Sequence, residues 1–254
     1  MKRLIANPEK KLLRTVNGDI YARYPVKTHV VKNGDDLLEV MNKYVRPFVK
    51  PNDIIFVSEK MVAITQGRAY CIDDIKPSFT AKFLSKFVYK SPYGIGLGSP
   101  WTMELALREV GYFRILFAAF AAAITKPFGI RGVFYKISGR KIAAIDGPCS
   151  YTLPPYNKYA VLAPLNPDKV AKEISDSLGA TVVIVDANDL GVDIIGKSSK
   201  NISNEFIKNA IQDNPLGQSA QQTPIGIIRK VKIKLKLPMP KKKSSQAIGT
   251  KQAR

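Results

Sequence analysis

Two short, unbroken apolar runs constrain the fold of this chain most. Ile54-Ile55-Phe56-Val57 and Thr181-Val182-Val183-Ile184-Val185 are of strand length, rich in β-branched side chains and bounded by polar residues. Neither run alternates with polar residues, so both faces of each need cover, as in a strand buried inside a sheet. Segments with helical periodicity lie around them. Asn33-Gly34-Asp35-Asp36 opens one in which Leu37, Leu38, Val40, Met41 and Tyr44 form an apolar face. Asn166-Pro167-Asp168 opens another, with Val170, Ile174 and Leu178 on one face and Gly179 at its end. Ser99-Pro100 caps WTMELALREV, and FTAKFLSKFV and residues 203–212 read as further helices. Ile115 to Ile124 falls short of the roughly 20 residues that span a bilayer and is expected as a buried core helix. Further strands are expected at 224–228, at the alternating 230–237, and as a hairpin of 132–137 with 141–145. Helices and strands interleave without a clean series of parallel βαβ units, so the expected fold class is α+β.

The chain of 254 residues suffices for one large domain or two small ones. Residues 1–20 read as a basic arm, 21–237 as the main folded domain with one or two subdomains, and 238–254 as a disordered basic tail. Lys and Arg number 40 against 20 Asp and Glu, a net charge of +20 that favours anionic partners. Residues 229–254 carry ten of the basic residues and no acidic one, which offers non-specific RNA contact through the tail. His29 is the only histidine, and Cys71 and Cys149 have no ligand-like spacing. This excludes a histidine-rich zinc site, a disulfide framework and any triad not centred on His29. The apolar run near the start is too short for a secretory signal, so a reducing, cytoplasmic setting with no membrane partner is expected.

Candidate chemistry sits in four places. Asp146 follows KIAAI, and Asp186 follows TVVIV in Asp186-Ala187-Asn188-Asp189. Carboxylates just beyond buried strands can meet over a sheet edge and offer the oxygen ligands that Mg2+ and Mn2+ want. An ordinary Asx-turn is the other reading of the second segment. Gln218, in Gly217-Gln218-Ser219-Ala220, offers a neutral oxygen to a metal or a phosphate, or belongs to an ordinary polar loop. Lys27, Thr28 and His29 follow Tyr24-Pro25-Val26, and His29 is either a contact to an anionic substrate or an ordinary histidine. Gly94-Ile95-Gly96-Leu97-Gly98 precedes a helix but matches neither GxGxxG nor GxxxxGK[ST], leaving phosphate contact or a structural turn.

In order and spacing these blocks resemble the coenzyme F(420)-0:L-glutamate ligase family, the gamma-glutamyl ligases. YPVKTHVVKNGDDL, NDIIFVSEKMVAITQGR, AAIDGP with APLNPDKVAKEISDSLGATVVIVDANDLG, and NPLGQSAQQTPIGIIR carry the likeness over roughly residues 24–230. The resemblance implies a two-part α+β fold, usually a homodimer. It implies GTP as co-substrate with Mn2+ or Mg2+, and an acyl phosphate on a small anionic acceptor that the amine of glutamate attacks. It places Asp146, Asp186 and Gln218 at the metal. Lys27, Thr28, His29, Ser58, Glu59, Lys60 and Asn188 fall at the nucleotide. Glu59 stands where the family has a small hydroxyl residue, Ile64 where it has a lysine, and Ala187 where it has a threonine. A non-catalytic phosphometabolite- or nucleotide-binding protein on the same fold, or RNA binding through the tail, is the alternative.

Overall fold

The computed structural model describes residues 4–88, 96–188 and 191–231. A six-stranded mixed sheet organises them. Its strands are β1 (Leu13–Val16), β2 (Asp19–Val26), β3 (Ile54–Ser58), β6 (Thr181–Asn188), β7 (Gly191–Lys197) and β8 (Ile225–Lys230), in the order β1-β2-β8-β3-β6-β7. Only β3 and β6 run parallel, Ile54 opposite Thr181 through Ser58 opposite Val185. These are the two apolar runs, and their C-terminal ends meet at one sheet edge. A small second sheet pairs β4 (Ala69–Cys71) with β5 (Tyr159–Val161). The fold is α+β, as expected.

The pleat sorts the side chains of the central strands. Ile55, Val57, Val182 and Ile184 face one layer, where α1 (Leu37–Tyr44), α2 (Glu59–Thr65) and α8 (Pro167–Leu178) cover them. Phe56, Val183 and Val185 face the other, against α9 (Asn204–Ile211). Gly226 of β8 lies directly against the Phe56 ring, and a Cβ there would overlap it. A third apolar cluster joins α3 (Phe79–Leu84), α4 (Pro100–Val110), α5 (Tyr112–Thr125) and α7 (Arg140–Ala143) to β5. Asp36 caps α1, Ser78 caps α3, Ser99 caps α4 and Ser203 caps α9, each with its side chain accepting from a backbone N–H of the first turn.

Three expectations are corrected and one element is added. The second half of the presumed arm is a hairpin, β1 and β2, turning at Asn17 and Gly18 with φ of 50° and 84°. Residues 132–145 hold no hairpin; they form α6 (Val133–Ser138) and α7, separated by Gly139 at φ 96°. Residues 191–197, to which the sequence reading assigned no element, are strand β7. Ile115 to Ile124 is helical within α5, but Ile115 and Ala118 are its only buried residues. Parts of the glycine loop at 94–98 and of the strand at 230–237, and all of the tail at 238–254, lie outside the described residues.

Candidate functional site

A cavity of about 670 Å³ opens where β3 and β6 end. The chain leaves β3 at Ser58 and enters α2 at once, so Ser58, Glu59 and Lys60 stand at its floor. Asp186 stands beside them, inside β6 rather than after it, directly across from Asp193 of β7. The register shifts between Ile184 and Val185 just before it. Asp146 arrives from the opposite wall. It follows α7 rather than a strand, and its backbone N–H and C=O both bond Val161, at 2.9 Å each. Thr28, His29, Asn188 and Gln218 complete the set of sequence candidates on the cavity. Lys27 is exposed and does not line it.

The electrostatics of the floor are unusual. Lys60 Nζ sits 2.8 Å from Asp146 Oδ2. Burial would lower the Lys60 ammonium, but Asp146, Glu59 and Asp186 outweigh it and hold its pKa above the ordinary value. Burial together with the neighbouring Asp146 pushes Asp186 up to about 6. Glu59 is buried, and its Oε2 has no hydrogen-bond partner. Burial first, then Asp186 and Asp146, hold its carboxyl well above the ordinary value, which favours the protonated form. Three carboxyls share one ammonium. Such a set has the oxygen chemistry that suits a hard divalent cation. Among the described residues, no three His, Cys, Asp or Glu groups are gathered closely enough to hold one.

The walls are fixed by neighbours the sequence did not point to. His29 is braced at both ring nitrogens, Nε2 at 2.8 Å from Asp35 Oδ2 and Nδ1 at 3.1 Å from the Tyr44 hydroxyl. Tyr156 lines the cavity, donates to Val31 O at 2.6 Å, and has its phenol pushed up to about 12, chiefly by burial. The loop bearing Gln218 is tied from the N-terminal segment. Asn7 Nδ2 reaches Pro215 O, Leu216 O and Thr223 Oγ1 at 2.8–2.9 Å. Gln222 O accepts from Thr28 N at 3.2 Å, and Pro224 O from Ser58 N at 2.9 Å, so three remote segments are laced together. An asparagine in a polar N-terminal stretch carries no sequence signal for that task.

Residues 25–133 match the model of a protein family described as F420-0:Gamma-glutamyl ligase. The matched stretch includes Thr28, His29, Ser58, Glu59 and Lys60, whereas Asp146, Asp186, Asn188 and Gln218 lie beyond it. No curated protein matches the chain.

Proposed function

We propose, from the match of residues 25–133 to the F420-0:Gamma-glutamyl ligase family model, that the chain joins an amino acid, glutamate by resemblance, to the carboxylate of a small anionic acceptor with GTP as co-substrate. One observation carries the reading: Glu59, Lys60, Asp146 and Asp186 line a single cavity although they come from three distant parts of the chain. In the first step an acceptor carboxylate oxygen bonds to the γ-phosphorus and the bond to the β-phosphate oxygen breaks, releasing GDP. In the second the amine nitrogen bonds to the acyl carbon, the carbon–oxygen bond to phosphate breaks, and the amine proton goes to solvent. Transfer of this kind asks the protein for positioning and charge neutralisation more than for covalent chemistry.

The residues present supply parts of that. Lys60 is the cation at the floor, and phosphate oxygens compete with Asp146 for it. Glu59 stands where the resemblance places a hydroxyl, and its raised pKa favours the neutral acid, which would not repel a phosphate. Braced His29, with Thr28, bounds the phosphate side. Asp146, Asp186 and the amide oxygen of Gln218 would hold Mg2+ or Mn2+, which neutralises the phosphates when bound. The same reading carries a homodimer, checked by light scattering. The main test is thermal unfolding with Mn2+ and GTP, together and apart, on wild type and Asp186→Ala. Joint stabilisation of the wild type that is absent in the variant is expected. No shift in the wild type overturns the reading, and binding without phosphate release under any acceptor and amino acid favours a binding protein instead.

A further inference from the structure

Helix α5 leaves an apolar surface uncovered. Phe113, Phe117, Phe120 and Ile124 recur at helical spacing and form one stripe. They are 92%, 61%, 64% and 50% exposed. The helix is apolar nearly all round, with Arg114 its only charged residue. A helix of that composition calls for cover on every side. Within the following segment, Phe128 and Ile130 are exposed as well. Helix α3 and the 3-10 turn that follows it repeat the pattern: Phe79, Phe83 and Phe87 follow one another in ring contact at 6.4 and 5.1 Å, all exposed. Both helices pack on α4.

Cations predominate around these helices, although exposed Asp73 and Asp74 lie just before Lys76. Residues 110–145 contain six Lys and Arg and no Asp or Glu. Arg114, Lys126, Arg131, Lys136 and Lys141 are exposed. Around α3, exposed Lys76, Lys82 and Lys86 stand in a stretch, 75–88, that also lacks acids.

We infer that this face docks on an anionic lipid surface, its phenylalanines at the boundary of headgroups and acyl chains and its cations at the lipid phosphates. Charge decides among the occupants. A two-fold contact with a second copy would set these cations against themselves. An anionic bilayer satisfies both the apolar stripe and its basic rim. At 14 residues α5 is about 21 Å long, and no described helix is long and apolar enough to cross a membrane. The helix therefore lies on the surface. This departs from the expectation of no membrane partner and stands apart from the chemistry of the cavity.

The test is co-sedimentation of the full chain with vesicles of phosphatidylcholine alone and with about 30% phosphatidylserine. Binding to the mixed vesicles only is expected. It should weaken at least about tenfold in Phe113→Ser/Phe117→Ser/Phe120→Ser, with circular dichroism and melting temperature unchanged. No binding by the wild type overturns the inference. Equal binding by the variant assigns the attraction to the basic tail and overturns it too. A wild-type dimer that the same variant converts to monomer shows the face covered by a second copy, which also refutes it.

Discussion

Asp186→Asn is expected to stabilise the ligand-free protein near neutral pH and to remove its response to Mn2+. The Asp186 carboxyl is pushed from 3.8 to about 6, first by burial and then by Asp146. A raised carboxyl is one that the fold prefers protonated. Between the two values the folded chain binds more protons than the unfolded one, so wild-type stability falls as pH rises through that window and the loss is complete above it. A shift of about two units corresponds to about 3 kcal/mol. Asparagine keeps the shape and escapes the loss. Urea unfolding from about pH 4 to about pH 8 measures it. The variant and wild type should converge at the acid end, and the variant should lead by up to about 3 kcal/mol above the window. Added Mn2+ should raise the wild type alone. A lead that does not vary with pH, or a variant no more stable at the alkaline end, refutes the reasoning.

The other expectations concern supports of the same site. Arg23 is fully buried and binds Asp213, the Ala210 carbonyl and the Lys11 carbonyl, so Arg23→Ala should cost about 3 kcal/mol in denaturant unfolding. Gly226→Ala drives a Cβ into the Phe56 ring and should cost about 1–3 kcal/mol, part of it recovered when Phe56→Leu is added. Glu59→Gln imitates the protonated acid. Nucleotide affinity of the wild type should fall as rising pH ionises Glu59, while titration calorimetry on the variant should find that fall absent.

The sheet was legible wherever burial left an unbroken apolar run. β3 and β6 could not satisfy both faces in any other way, and α1, α4, α8 and α9 announced themselves by period and cap. The errors have physical causes. Asn17-Gly18 is the pair that favours a two-residue hairpin turn, and its flanking strands were masked by basic side chains suited to an edge. Val133 to Ile145 mixes β-branched and aromatic residues with glycine, a short pattern that strand and helix share; here Gly139 ends a helix. α5 reads as core because its composition is that of a core helix, and the sequence alone does not reveal that only one side of it meets the protein. Asp186 was recognised but placed after its strand, since β7, which extends that strand as a hairpin, has a weak pattern of its own.

The acid at position 59 unites these readings. In solution Glu59 would be an anion and would repel the substrate that its neighbours attract. Its side chain instead points into a floor closed by β3 and β6, where Asp186 and Asp146 are already near. Ionisation there requires a third charge in a poorly solvated space that contains one ammonium, so the neutral form is favoured. In its neutral form this side chain is a hydrogen-bond donor. After burial itself, the carboxyls beyond residue 133 that reach the same cavity raise its pKa further. The matched segment and the unmatched one thus depend on each other through a shared field, and the parallel pairing of β3 with β6 brings them within its range.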